Sequence, residues 1–228
     1  MTCILSSPQN TIKPTSIQRI NMKLVSSSSV LCLAWLLIMM MATSALSHSD
    51  DNAAVFDTDR RPLQRGLEYY IKPAITDVGG RFTLIDRNNS CPLYVGQLNT
   101  DVGEGLPVIF TPYAGEDNIV KVNRDFRVAF SAITLCIQST EWKVGENDTT
   151  SGRRLIVTGS PSGDRDYSNY FRIVETQSEG IYNIQWCPTE VCPICRFDCG
   201  TVGGLREDGK ILGALDGNVL PVMFERKA

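Results

Sequence analysis

The segment WCPTEVCPICRFDCG, from Trp186 to Gly200, is the part of the chain most densely supplied with chemically reactive side chains. Its four cysteines are Cys187, Cys192, Cys195 and Cys199. Thiols at this spacing could bind zinc, form a redox-active CxxC pair, or join as disulfides. The compartment decides among these roles, because disulfides persist only where the surroundings are oxidising.

A secretory signal is predicted near the start of the chain. The basic residue Lys23 precedes the apolar run VLCLAWLLIMMM and the small residues ATSALS, which is the pattern of a signal peptide cleaved after Ala45 or Ser47. The run is shorter than the roughly 20 residues of a transmembrane span. We expect residues 1–47 to be an N-terminal extension with a signal peptide and residues 48–228 to be the mature domain. The protein should then be secreted, extracellular or vacuolar, and not bound to a membrane.

The predicted mature chain is acidic. Loss of Lys13, Arg19 and Lys23 leaves 19 basic residues against 25 acidic ones. Nucleic-acid phosphates attract basic surfaces. We therefore expect no nucleic acid among the partners of this protein.

Residues for acid–base catalysis are scarce. The single histidine, His48, lies at the predicted cleavage boundary, so a Ser/His/Asp or Cys/His site is excluded from the domain. The paired acids Asp164 and Asp166 lie in the Gly/Ser/Pro-rich segment GSPSGDRD, where turn formation is their expected role. We expect no enzymatic activity.

Six cysteines remain once Cys3 and Cys32 are removed with the signal. An even number in an oxidising compartment predicts three disulfides, and we expect no zinc and no other cofactor. A redox role for Cys192 and Cys195 would require a βαβ context, which the sequence does not suggest. Spacing alone does not choose among the many pairings that six cysteines allow.

Apolar and polar residues alternate in many short segments, which predicts strands. In FRVAFSA the residues on one face are Phe126, Val128 and Phe130, and in IYNIQW they are Tyr182, Ile184 and Trp186. Similar runs are LEYYI, RFTLI, PLYVGQL, LPVIF, NIVKV, RLIVTG, YFRIVE and LPVMF, separated by turn material such as DVGG and LREDGK. No segment shows sustained helical periodicity. The pattern predicts an all-β barrel or sandwich without deciding between them.

An ordered series of motifs covers the predicted mature chain. It opens with AVFDTDRRPLQRGLEYYIKPAI and continues through CPLYVGQ, LPVIFTPY, RVAFSA, TEW, YFRIVE and YNIQWCP. Together these motifs closely resemble the plant Kunitz family, the soybean trypsin inhibitor type, and the nested CxxC resembles its miraculin-like subgroup. The resemblance implies a disulfide-stapled β-trefoil of twelve short strands in three pseudo-repeats. It also implies the disulfides Cys91–Cys136, Cys187–Cys199 and Cys192–Cys195.

The resemblance further implies an exposed, substrate-like loop that binds a serine protease. The matching segment is TPYAGEDN, and its candidate contact residues are Pro112, Tyr113, Ala114, Gly115 and Glu116. Trypsin-directed members carry Arg or Lys where Ala114 stands, so weak or absent trypsin inhibition is predicted. Tyr113 or Ala114 would suit a protease with an aromatic or a small specificity pocket.

Arg65 occupies the loop-support position, where family inhibitors use an Asn to brace the loop by hydrogen bonds. This exchange predicts a less firmly braced loop. The function implied is a secreted serine-type endopeptidase inhibitor. The alternative is a non-inhibitory storage, defence or taste-related binding protein on the same fold, although acid-switched taste activity would need an internal histidine.

Two N-glycosylation sequons occur in turn-like polar segments, at Asn88 in NNS and at Asn147 in NDT. Both are predicted to carry glycans in a secreted chain.

Overall fold

Short β-strands joined by turns and loops make up the computed structural model, which describes residues 52–75 and 78–228. The strands are β1 (Glu68–Pro73), β2 (Phe82–Ile85), β3 (Tyr94–Gln97), β4 (Val108–Pro112), β5 (Asp125–Phe130), β6 (Trp142–Asn147), β7 (Arg154–Thr158), β8 (Phe171–Glu175), β9 (Tyr182–Trp186), β10 (Gly200–Glu207), β11 (Lys210–Leu215), β12 (Asn218–Val219) and β13 (Val222–Arg226). No helix occurs in these two ranges. The predicted signal peptide lies outside the described residues.

Six strands close into an antiparallel barrel. They follow the order β1, β4, β5, β8, β9 and β13, each paired with the next, and β13 pairs back to β1. The pairing of Val222 with Tyr182 joins β13 to β9 and so completes the ring. A closed ring leaves no unpaired strand edge.

Three hairpins cap one end of the barrel. β2 pairs with β3, β6 with β7, and β10 with β11. One strand of each hairpin pairs with one strand of both others, through Tyr94 and Val157, Ala214 and Leu155, and Ile211 and Gln97. The units β1–β4, β5–β8 and β9–β13 therefore repeat one arrangement three times, and the predicted β-trefoil is confirmed.

A thirteenth strand exceeds the predicted twelve. The two-residue β12 pairs Val219 with Gly203 and Asn218 with Gly204 of β10. A Cβ atom on Gly203 would lie 2.4 Å from the Asn218 carbonyl oxygen, so the extra pairing depends on glycine at that position.

An arginine ties the three hairpins together. Arg87, which follows β2, donates hydrogen bonds of 2.6 Å to Asp148, which follows β6, and 2.6 Å to Glu207 at the end of β10. The three side chains are largely buried. Hydrogen bonds from Arg87, and then from the Ser151 amide, hold the pKa of Asp148 well below its ordinary range. One charged residue from each repeat thus stabilises the cap.

The barrel interior is aromatic. Trp142 is fully buried and packs against Phe82, Phe130 and Phe171, with ring centroids 5.6, 5.6 and 6.1 Å away. Phe126, Val128 and Phe130 are also buried, as the alternation in β5 predicts. Aromatic pairs at these distances add to the free energy of burial.

Within the two described ranges, no helix is long and apolar enough to cross a membrane.

The segment NIVKV, which was predicted to be a strand, forms only isolated bridges, such as Ile119 with Gln64 and Val122 with Ile173.

Candidate functional site

The loop between β4 and β5 begins and ends at adjacent points of the barrel. Pro112, the last residue of β4, is buried and pairs with Phe126 of β5. The backbone N–H of Tyr113 donates to the Asp125 carbonyl at 2.8 Å. The strand pairing therefore fixes both ends of the loop while its tip lies beyond the barrel.

The tip of the loop is a tight turn. The Asp117 N–H donates to the Ala114 carbonyl at 3.0 Å, so Gly115 and Glu116 occupy the two central positions, and both are exposed. Asp117 also accepts a 2.9 Å hydrogen bond from Lys121. Ala114 is half-buried. The carbonyl that a substrate-like contact residue would offer to a protease is thus already hydrogen-bonded within the loop.

Tyr113 is the large side chain at the surface of this loop, with 44% of its area exposed. Its ring lies edge-on against Tyr170, with centroids 5.7 Å apart. This contact limits the rotamers of Tyr113 without covering the ring.

Arg65 contacts the loop at two points. Its guanidinium Nη1 donates to the Gly115 carbonyl, and its backbone N–H donates to the Asn118 carbonyl at 2.9 Å. Next to this contact, the Val120 N–H donates to the Leu63 carbonyl at 2.9 Å. Arg65 stands where family inhibitors use an Asn, yet the side-chain contact with the loop is kept. The longer arginine side chain still brings an N–H donor to a loop carbonyl.

The C-terminal base of the loop is joined to the cysteine-rich segment. The Asp125 N–H donates to a Glu190 carboxylate oxygen at 2.7 Å, and the Glu190 N–H donates to a carboxylate oxygen of Asp125 at 2.8 Å. Arg124 also donates to Glu190, and Arg172 donates to Asp125 at 2.6 Å. Two carboxylates and two guanidiniums therefore form one partly buried network.

The protonation of this network follows from its contacts. Burial raises the pKa of Asp125, and Arg172 opposes this effect without cancelling it. Burial also raises the pKa of Glu190, but hydrogen bonds from Arg124 and the Asp125 amide outweigh it and leave the pKa lowered. Neither acid was predicted as a site residue from the sequence, because a lone carboxylate carries no local signal of burial.

The cysteine-rich segment is held by two nested disulfides. Cys187 is joined to Cys199 and Cys192 to Cys195, and a third disulfide joins Cys91 to Cys136. These are the pairs that the resemblance implies. The nested pair lies next to Glu190, so it restrains the segment that contacts the base of the loop.

The two sequon asparagines lie close to the cap. Asn88 and Asn147 are both exposed. Asn88 directly follows Arg87 and Asn147 directly precedes Asp148, and these two neighbours form an ion pair. Both side chains are accessible to a glycosylating enzyme, and their modification remains a prediction.

Comparison with known families matches most of the described chain to one family. The family model described as trypsin and protease inhibitor, of the Kunitz legume type, covers residues 55–226. The chain belongs to the plant Kunitz family. Its match spans all thirteen strands of the trefoil.

Individual Kunitz proteins are similar over most of the described chain. Kunitz type trypsin inhibitor 106 of Medicago truncatula is 56% identical over 176 residues, which are 76% of this chain and 86% of the relative. Miraculin of Synsepalum dulcificum is 32% identical over 173 residues, 71% of this chain and 78% of the relative. The solved structure of the bifunctional α-amylase/subtilisin inhibitor of Oryza sativa has a TM-score of 0.62 at 33% identity, covering 77% of this chain and 99% of that one.

Proposed function

We propose that this Kunitz protein is a secreted inhibitor of serine endopeptidases that acts through the loop between β4 and β5, in the segment of residues 111–118 whose tip is exposed. The observation that supports this most directly is the double contact of Arg65 with the loop, at Gly115 and Asn118. A loop held in place before binding loses little conformational entropy on docking. Two of the similar proteins are named as inhibitors, one of trypsin and one of α-amylase and subtilisin, which supports inhibition as the activity.

The target is a protease with a small or aromatic specificity pocket. Ala114 offers no cation for the buried carboxylate of a trypsin-like pocket, and Glu116 and Asp117 add negative charge beside it. Tyr113 presents a restrained aromatic ring. Chymotrypsin-like, elastase-like and subtilisin-like enzymes have pockets for these side chains.

Docking of Ala114 requires one exchange of hydrogen bonds. The Ala114 carbonyl would leave the Asp117 N–H and accept from the oxyanion-hole amides of the protease. The net free energy of one intramolecular hydrogen bond is about 1 kcal/mol, which is small beside the binding free energy of a tight inhibitor.

The same hydrogen bond favours the second candidate, a non-inhibitory storage, defence or binding protein. If the turn at Ala114 persists in the presence of protease, the loop is an ordinary connection. Catalysis is not part of either proposal. Asp166 accepts hydrogen bonds from Lys143 at 2.8 Å and from the Ser162 N–H at 2.7 Å, which is a turn-organising role.

The decisive experiment is a gain of function at the contact position. Wild-type protein and the Ala114→Arg variant would be refolded under oxidising conditions and titrated against trypsin, chymotrypsin, elastase and subtilisin. We expect weak or no trypsin inhibition by the wild type and inhibition by the variant that is about a thousandfold stronger, since a cation then meets the buried carboxylate.

Matched controls decide the interpretation of that result. Ala114→Gln changes size without charge and should not inhibit trypsin. If a correctly folded Ala114→Arg protein inhibits no better than the wild type, the loop is not an inhibitory element and the non-inhibitory function is favoured.

A further inference from the structure

A cleft of about 260 Å³ lies among the strands of the hairpin cap. Its walls come from β10, β11 and β12, together with the end of β3. The residues at its base are buried, and these are Gln97, Ile211 and Leu220. The residues at its rim are exposed, and these are Arg206, Asn218 and Val219. A compact molecule can therefore enter from solvent and reach a buried wall.

The side chain of Gln97 leaves one polar atom unsatisfied at the base of the cleft. Its Nε2 donates to the Gly80 carbonyl at 3.0 Å, and this bond fixes which end of the amide is the oxygen. Within residues 52–75 and 78–228, no hydrogen bond is donated to Oε1, although Gln97 is only 3% exposed. A buried acceptor without a donor costs free energy. The base of the cleft thus lacks one donor, which a bound molecule can supply.

A glycine keeps the space in front of this oxygen open. Gly204 of β10 lines the cleft, and a Cβ atom there would lie 3.8 Å from Gln97 Oε1 and 3.5 Å from Ile211 Cγ2. Both distances are ordinary contacts, so a methyl group would fit, but it would occupy the approach to the oxygen. Gln97 Oε1 therefore faces the part of the wall where Gly204 has no side chain.

Two arginines give the rim a positive charge. Arg153, in the β6–β7 turn, donates through Nη1 to the Asp216 carbonyl, and Arg206 donates through Nη2 to the Val78 carbonyl at 3.4 Å. Each bond uses one of the five N–H groups of a guanidinium. The Asp216 carboxylate pairs instead with Arg154, at 3.5 Å, and none of the described residues that line the cleft is acidic. Both guanidiniums can therefore bind an anion.

The rest of the lining is mainly aliphatic. It includes Val78, Leu205 and Val219, besides the buried Ile211 and Leu220. A wall of this kind favours a ligand with an apolar body, whereas an inorganic anion would leave it and the Gln97 oxygen unused. Planar guanidiniums match the geometry of a carboxylate.

We propose that this cleft binds a small monocarboxylate with an apolar body and a hydroxyl or N–H group at the end remote from the carboxylate. The hydroxyl or N–H donates to Gln97 Oε1 at the base, and the body contacts the aliphatic wall. The carboxylate accepts from Arg153 and Arg206 at the rim. The cleft contains no residue of the loop of residues 111–118, so we expect it to function independently of protease inhibition.

Titration calorimetry on the oxidised protein tests the three matched features with three compounds. The probe is para-hydroxyphenylacetate, which has a carboxylate, a ring and a phenolic hydroxyl. Phenylacetate lacks the hydroxyl, and tyrosol has an alcohol in place of the carboxylate. We expect the probe to bind with a stoichiometry of one, and both other compounds to bind about tenfold more weakly.

A cavity-filling variant tests the location without removing any contact of the fold. Gly204→Ala places a methyl group in front of Gln97 Oε1 at ordinary contact distances, and we expect it to weaken binding of the probe about tenfold or more. Gly163→Ala is the matched control, because a Cβ atom on Gly163 meets no atom within 4 Å and the residue does not line the cleft. Thermal unfolding would verify that both variants are folded.

Two further variants assign each ligand group to its residue. Gln97→Leu should abolish the preference for the probe over phenylacetate, since the acceptor of the hydroxyl is gone. Arg153→Gln should weaken the probe about tenfold and leave tyrosol unchanged, since tyrosol carries no charge. A structural defect alone would weaken all three compounds equally.

Several outcomes overturn the proposal. They are a wild-type protein that does not bind the probe, equal affinity for the three compounds, and binding of inorganic phosphate as tight as that of the probe. Full binding by the Gly204→Ala variant would also overturn it. Protease inhibition by the four variants should equal that of the wild type, so failure of the proposed inhibitory function and failure of this site would be seen in separate assays.

Discussion

Asp125 and Glu190 each accept a hydrogen bond from the backbone amide of the other, at 2.8 Å for the Asp125 carboxylate and 2.7 Å for the Glu190 carboxylate. Asp125 is the first residue of β5 and directly follows the β4–β5 loop, whereas Glu190 lies between Cys187 and Cys192 in the disulfide-bonded segment. A reciprocal pair of this kind fixes position and orientation together, because neither segment can move without breaking both bonds. The disulfide-bonded segment therefore acts as a support for the candidate inhibitory loop.

Replacement of Glu190 by alanine tests this support. Glu190→Ala leaves the Asp125 amide and Arg124 without their acceptor, and we expect it to lower the free energy of unfolding by about 1–3 kcal/mol. Denaturant titration would measure this, with the exposed residue Glu146, changed to alanine, as the control. Equal stability of the two variants would contradict the proposed support.

Replacement of Arg65 by alanine tests the contact behind the loop. Arg65→Ala should weaken inhibition of the target protease about tenfold or more, since the loop would lose its hydrogen bond at Gly115 and become less restrained. Arg206→Ala is the matched control, because Arg206 also donates to a backbone carbonyl, that of Val78, on another part of the surface. An equal change of the inhibition constant in the Arg65→Ala and Arg206→Ala variants would contradict a specific role of Arg65 in supporting the loop.

The Arg87 cluster predicts a pH dependence of stability. Arg87 lowers the pKa of Asp148 in the folded state, so the carboxylate stabilises the fold fully above its unfolded pKa of about 3.9. This stabilisation is lost as pH falls through the lower folded pKa. Asp148→Asn should therefore be less stable than the wild type at pH 7, and the difference should shrink below pH 4. Denaturant unfolding would measure the free energy of unfolding of both proteins. A difference between them that stays constant from pH 7 to pH 2.5 would contradict this role of Asp148.

Removal of the long-range disulfide should destabilise the whole domain. Cys91 and Cys136 are 45 residues apart, and closing a loop of that length restricts the unfolded chain by about 4 kcal/mol in the entropy model. The double change to serine should lower the free energy of unfolding by a comparable amount and also free the β5–β6 loop. Thermal unfolding unchanged from that of the oxidised wild type would refute this.

Both sequons should carry glycans when the protein passes through a secretory pathway. Asn88 and Asn147 are exposed, and glycans there would project from the hairpin cap, away from the loop of residues 113–124. Intact mass before and after enzymatic deglycosylation, with Asn88→Gln and Asn147→Gln as controls, would measure this. A native mass equal to that of the bare polypeptide would exclude it.

Local patterns predicted most of the strands but missed the glycine-rich ones. Alternation in β5 and β9 is plain, because one face of each strand lies on the core. β10 contains Gly200, Gly203 and Gly204, which weaken any strand signal. A Cβ atom on Gly203 would lie 2.4 Å from the Asn218 carbonyl oxygen, so glycine at this position is needed for a close backbone approach that only the assembled cap creates.

The sequence by itself determined the strand content, the disulfide-rich composition and the Kunitz resemblance, because these depend on residue type and spacing along the chain. The tertiary structure decided which side of each segment meets the core. AITLCI alternates like a buried strand, yet its aliphatic residues face outward, since the bonds between Phe130 and Thr140 close the loop outside the barrel. Likewise the contact of Arg65 with Gly115, 50 residues away along the chain, has no local signal, because only the folded barrel brings the two segments together.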